Sequence, residues 1–275
     1  MSELARLEPG GAAAGTGEVP FSVRRRGLVA LAVRESHRVT KLWTQTIIAP
    51  VLSSFLFILV FGLSLGDRIK EIDGVPYKVF IVPGLLTMAM IQAAYANNSA
   101  SVFQARFDRY INDVLAAPMS PWEVNLGLSL GGVVRALCIG TLLLAATALV
   151  VDVPVREPAV LIPALALALT LFASFGVIVG IYARSWDHTA FVQNIVILPL
   201  TFVGGVFYSV DSLPSPWQEI SHLNPMFYLV NSVRYGFLGT ADASVALSLG
   251  VTAALAGAVV GWSAWLFATG HRLKP

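Results

Sequence analysis

Ala159-Val-Leu-Ile-Pro-Ala-Leu-Ala-Leu-Ala-Leu-Thr-Leu-Phe-Ala-Ser-Phe-Gly-Val-Ile-Val-Gly-Ile-Tyr182 runs for 24 residues without an acid or a base. A helix of about 20 apolar residues crosses a hydrocarbon layer of roughly 30 Å, so this stretch reads as a membrane span. It is not alone. Comparable runs occur at 43–65, 80–100, 126–151 and 245–267, and a shorter one at 190–207 carries Pro199, Gly204 and Gly205. Over 275 residues the chain is 56% hydrophobic and 12% charged, against about 25% charged in soluble domains. The mean hydropathy is +0.73. These values predict an all-α polytopic membrane protein with six spans, and exclude a nucleic-acid-binding domain, a secreted disulfide scaffold and a disordered chain. Cys138 is the single cysteine, so no intramolecular disulfide forms.

Six spans put both termini on one side, and the positive charges indicate which. Cytoplasmic loops retain Lys and Arg. With the termini inside, twelve basic residues are cytoplasmic and five, Arg68, Lys70, Lys78, Arg156 and Arg234, lie in outer loops. The outer loops are then 66–79, 152–158 and 208–242. Arg135 is embedded in the third run, where snorkelling to the inner face or pairing with Glu123 or Asn125 is expected rather than a substrate role. Residues 1–20, rich in Gly, Ala and Glu, read as a disordered tail, and 21–42 as a cytoplasmic interfacial helix preceding the six-helix domain of 43–275.

Two cytoplasmic stretches carry a pattern. Arg34, His37, Arg38 and Lys41 are spaced to share one helical face, with Leu31, Val39 and Leu42 available for another. A basic amphipathic helix beside a span lies in the membrane interface. It either fixes topology as a solvated face or docks a partner. From Val102 to Leu115 the second helix is expected to continue out of the membrane to a break at Ala117-Pro118-Met119-Ser120-Pro121, because proline cannot continue a helix. Phe107, Tyr110 and Leu115 make this a hydrophobic plug for a partner's groove, or a helix packed under its own bundle.

On the outer side, Ser215-Pro216-Trp217-Gln218 has the spacing of a capping box and Asn224-Pro225 a helix break. Residues 215–237 therefore read as a re-entrant helical hairpin that caps a pathway. Gln92, Asn97, Gln193 and Asn194 are candidate pathway-lining residues, or serve only in interhelical hydrogen bonds.

The chemistry missing from the sequence narrows the function. The spans hold no acidic residue that could relay protons or ions, the four histidines are dispersed and form no metal motif, and there is no Gly-Lys dipeptide for a phosphate-binding loop. No catalytic residue and no metal site is expected. A self-powered carrier is disfavoured. A polytopic membrane enzyme or an assembly factor is the alternative class, and nothing in the spans supplies its nucleophile or acid.

Gly204-Gly-Val-Phe-Tyr-Ser-Val-Asp-Ser-Leu-Pro214, Leu223-Asn-Pro-Met-Phe-Tyr228 and Arg234-Tyr-Gly-Phe-Leu-Gly239, with Trp217 and Ile220 between, resemble the type-2 ABC exporter permeases, bacterial membrane subunits related to daunorubicin-resistance and polysaccharide-export systems. Asp113-Val-Leu-Ala-Ala-Pro-Met-Ser120 is similar to that family's coupling segment, with Asp113 where Glu is common. The resemblance runs from about Arg34 to the C-terminus. It implies a homodimer in the bacterial inner membrane, both termini cytoplasmic, engaging a separate ATP-binding subunit that holds ATP and Mg, with no cofactor on this chain. Arg106, Phe107, Arg109, Tyr110, Asp113, Val114 and Leu115 would couple to that subunit. Arg34, His37, Arg38 and Lys41 would sit on the interfacial helix, and Trp217, Leu223, Asn224, Pro225, Met226 and Arg234 in the outer gate hairpin. The implied cargo is a hydrophobic or amphipathic small molecule or lipid, with a lipid-linked glycan as the alternative.

Overall fold

The computed structural model describes residues 20–66 and 69–273. The tail expected over residues 1–20 lies outside the described residues except for Pro20. Helix α1 spans Phe21–Lys41, and a π-helical segment Thr44–Ile48 runs directly into α2, Ala49–Ser64. A two-stranded hairpin, β1 Glu71–Ile72 and β2 Val75–Pro76, turns on Asp73 and Gly74, both at positive φ, as a tight Asp-Gly turn requires. Then follow α3 Tyr77–Phe107, α4 Ile111–Ala116, α5 Pro121–Ala148 and α6 Pro158–Tyr182. Beyond these, α7 Trp186–Phe191, a π-helical segment Val192–Ile197 and α8 Leu198–Val203 form one interrupted helix. The chain finishes with α9 Trp217–Leu223, α10 Pro225–Leu238 and α11 Val245–Thr269.

The expected six-span topology with a re-entrant outer hairpin does not hold. Among the described residues five helices are long and apolar enough to cross a membrane: Thr44–Gly62, Tyr77–Phe107, Pro121–Ala148, Pro158–Tyr182 and Val245–Thr269. The run at 190–207 fails for a physical reason at each end. Its helix starts on the polar Trp186-Asp187-His188 and stops at Val203, before Gly205 turns the chain at φ +80°. The apolar part left, from Thr189 to Val203, is about 22 Å long at 1.5 Å per residue, short of the hydrocarbon thickness. The hairpin fails differently. A helix break does occur at Asn224, but α10 is a wall of the bundle core, with Met226, Phe227, Val230 and Val233 buried, while α9 is a separate seven-residue surface helix.

The bundle is organised around α3 and α6, whose apolar windows are mostly buried, whereas α2 and α11 are peripheral, with few residues buried. Small residues allow this. A Cβ on Gly176 would sit 2.5 Å from the Tyr95 carbonyl oxygen, and one on Gly180 2.8 Å from that of Ser99, so only glycine lets α6 lie against the backbone of α3. Gly127 and Gly131 similarly admit Leu31 and Glu35 of α1 onto α5. The third spaced pair, Gly257 and Gly261, faces open space.

The even span count that placed both termini on one side falls with the sixth span. Contacts still bring both described chain ends to one end of the bundle. There Arg24 of α1 pairs with Glu123 at 2.9 Å, and Arg106 donates to the carbonyls of Gly180, Ala183 and Arg272.

Candidate functional site

At this end α1 crosses α5 and meets the connection between α3 and α5. The helix leaving α3 does not continue to Ala117 as expected. It stops at Phe107, because Arg109 adopts φ +62°, and a new helix of six residues, Ile111–Ala116, follows. Ser120 then accepts from the Glu123 amide while Glu123 accepts from the Ser120 amide at 2.7 Å, a complete capping box that starts α5.

The break sorts the expected coupling residues into two groups. Phe107 is 74% exposed, and Arg109 and Asp113 are exposed beside it. Val114 is buried and Leu115 half-buried, both in a cluster with Leu31, Val102, Ile111, Val177 and Ile181. Arg106 is turned inward to close the C-terminal carbonyls of α6, where a cation complements the helix dipole. Tyr110 lies between the groups, half-buried, with the Arg34 guanidinium 5.2 Å from its ring centre. Burial pushes the Tyr110 phenol up in pKa, and Arg34 partly offsets this.

Arg34, His37, Arg38 and Lys41 of α1 share one side of a cavity of about 650 Å³, whose other wall is Tyr110 and Asp113. Two stretches read separately in the sequence are thus brought together. A residue that sequence reasoning passed over holds them. Glu35, 1% exposed, bonds Arg34 at 3.0 Å, Arg38 at 3.2 Å and the Ser101 hydroxyl at 2.7 Å. Arg38 continues to the carbonyl and side-chain oxygens of Asn97, and Asn97 donates to Asn98, which reaches the Ala173 carbonyl of α6. The one available signal was Glu35 three residues before Arg38, hidden among four bases.

The candidate pathway residues divide. Gln92 and Gln193 line one cavity together with Arg135. Asn97 belongs instead to the Glu35 network, and Asn194 lies on an exposed face. Arg135 pairs with neither Glu123 nor Asn125: its Nε donates to the Thr46 carbonyl at 2.9 Å, Glu123 is held by Arg24, and Asn125 bonds Ser174 and Ser263.

The residues expected to gate the opposite end also separate. Trp217 and Leu223 are exposed on α9, and Pro225 occupies the first turn of α10. Asn224 caps α10 by accepting from the Met226 amide and ties it to the Leu200 carbonyl, with Met226 buried behind it. Arg234 is 1% exposed, donates to the Gly205 carbonyl, stacks 4.1 Å from the Phe80 ring centre and pairs with Asp242 at 3.6 Å. It is a clasp inside the bundle.

Residues 26–238 match the family model described as ABC-2 type transporter. The chain is 39% identical over 224 residues to the inner membrane transport permease YadH of Escherichia coli K12, covering 82% of this chain and 88% of that protein. It is 28% identical over 214 residues to nodulation protein J of Sinorhizobium fredii NGR234, covering 75% of this chain and 81% of that protein. A bundle with five apolar helices among the described residues, matched by that family model over most of its length, belongs to the ABC-2 type transporter family, as a non-catalytic membrane permease.

Proposed function

We propose that the chain is the inner-membrane subunit of an ATP-driven exporter, working as a homodimer and moving a hydrophobic or amphipathic small molecule or lipid outward. The end bearing α1 and α4 faces the cytoplasm, because Arg24, Arg34, Arg38, Lys41, Arg106, Arg109, Arg184 and Arg272 gather there. A separate ATP-binding subunit docks at that end.

The observation that carries this reading is the contrast between Phe107, exposed at the tip of the α3–α4 connection, and its neighbours Ile111 and Val114, locked into the core. Phe107 offers an anchor that a partner's groove would bury for roughly 1.5–3 kcal/mol. The locked neighbours pass any displacement of that anchor to α3, α5 and α6. Arg109 and Asp113 give the anchor a charged rim.

Phe107→Ala, assayed with the co-expressed ATP-binding subunit in lipid vesicles, should abolish transport and weaken co-purification while the permease still inserts and melts normally. Undiminished co-purification and undiminished coupling of hydrolysis to transport would remove the docking role.

A further inference from the structure

Arg135 is the fifteenth residue of the 28-residue helix α5, about 21 Å from its start, within a helix long and apolar enough to cross a membrane. A cation there is costly, and is kept where it has a partner or faces a cavity. Of its five N–H groups, one reaches the Thr46 carbonyl. Among the described residues no carboxylate lies within 4 Å. Arg135 also lines a cavity of about 200 Å³ together with Gln92, Gln193, Phe57, Leu85 and Met88. The side-chain nitrogen of Gln92 is buried with no partner. Native structures rarely leave a buried donor unpaired, so this amide beside a guanidinium indicates a missing acceptor.

The backbone around this cavity is also irregular. Thr46 and Gln193 each lie in a π-helical segment, Thr44–Ile48 and Val192–Ile197, a distortion found at functional sites more than elsewhere. The cavity adjoins a shallow, open groove of about 320 Å³ on the face of α2, lined by Ser53, Leu56, Phe57, Val60 and Phe61, with Ser53 and Phe57 shared by both. Ser53 to Phe61 covers about 12 Å along α2, and the large side chains there are apolar.

We propose that Arg135, Gln92 and Gln193 bind the anionic headgroup of an amphipathic substrate whose apolar chain lies in the adjoining groove of α2. Resting on the export reading, this assigns the cargo a charge: a carboxylate or phosphate ester on a hydrocarbon chain. A guanidinium flanked by two amides presents N–H donors to an oxyanion and repels a cationic head.

The test measures equilibrium binding of radiolabelled dodecyl phosphate to the purified permease in phosphatidylcholine nanodiscs, with no nucleotide. Saturable binding that unlabelled dodecanoate displaces, and that inorganic phosphate and dodecyltrimethylammonium do not, is the expected result. Arg135→Gln should weaken it at least tenfold, Arg135→Lys should retain part of it, and Val60→Trp should weaken it by filling the groove. Gln193→Leu serves if Arg135→Gln does not fold, and should also weaken binding. Equal binding by the cationic amphiphile, displacement by inorganic phosphate alone, or undiminished affinity in the folded variants overturns the proposal. A wild-type protein that binds dodecyl phosphate as described but does not export it with ATP would leave the site standing and remove the export reading instead.

Discussion

Ser101 on α3 donates its hydroxyl to the carboxylate of Glu35 on α1 at 2.7 Å, and that carboxylate also receives Arg34 and Arg38. A buried carboxylate is tolerated when its lone pairs are filled and its charge paired, and here both conditions are met by residues from two elements. The amphipathic helix outside the membrane is thereby joined to the central helix within it, and Asn97 and Asn98 extend the connection to α6.

Glu35→Ala should lower stability by about 1–3 kcal/mol, the cost of leaving buried donors unsatisfied. Arg34 and Arg38 keep 44% and 31% of their side chains accessible, so solvent recovers part of their hydration and the loss stays below that of a fully enclosed pair. Glu35→Gln should fall between wild type and Ala, because the amide oxygen still accepts from Ser101. Thermal unfolding in nanodiscs measures all three.

Glycine substitutions should separate packed from unpacked faces. A Cβ on Gly131 meets the Glu35 Cβ at 2.7 Å, whereas Gly257 has nothing within 4 Å. Gly131→Ala must push α1 off α5 and should lower the melting temperature. Gly257→Ala should be neutral or stabilising, since glycine inside a helix is about 1 kcal/mol less favourable than alanine. Equal effects at the two positions would contradict this account of the α1–α5 contact.

Legibility in the sequence followed how much each feature depends on composition alone. The α6 run was plain because 24 apolar residues need a helix and a membrane, and no neighbour alters that. The 190–207 run was misread because its limits are set by the turn at Gly205 and the polar start at Trp186-Asp187-His188, which averaged hydropathy blurs. The basic face of α1 was visible as spacing. Glu35 was not, since its importance comes from Ser101, 66 residues away. Arg135 was visible as a charge in a span, but its surroundings are drawn from α2, α3 and the segment after α7, which periodicity cannot assemble.

The motif Ser-Pro-Trp followed by Glu or Gln occurs twice, at 120–123 and 215–218. Only the first forms a capping box. Ser215 instead donates to Glu219 at 3.0 Å, and α9 has no side-chain cap at its start. Ser120→Ala should therefore cost about 0.5–2 kcal/mol, and Ser215→Ala should change stability little. Paired unfolding curves of the two variants check this, and a larger loss at Ser215 would mean that the second motif caps its helix after all.

Arg234 and Asp242 supply the sharpest test of the opposite end. Their side chains are 2% and 4% accessible, so neither charge can turn to water when its partner is removed. Asp242 also accepts the Val210 amide at 2.8 Å, which makes it the link between α10 and the loop after Gly205. Removing one member of a buried pair typically costs about 3–5 kcal/mol, and Asp242→Ala should fall in that range. Asp242→Asn keeps an acceptor for Val210 but not the charge, and should recover a minor part of the loss. A double variant, Arg234→Met with Asp242→Ala, should be more stable than Asp242→Ala alone, because the uncompensated guanidinium is gone. If the single and double variants melt together, the cost lies in the Val210 link, and the ion pair contributes nothing to holding α10 in the bundle.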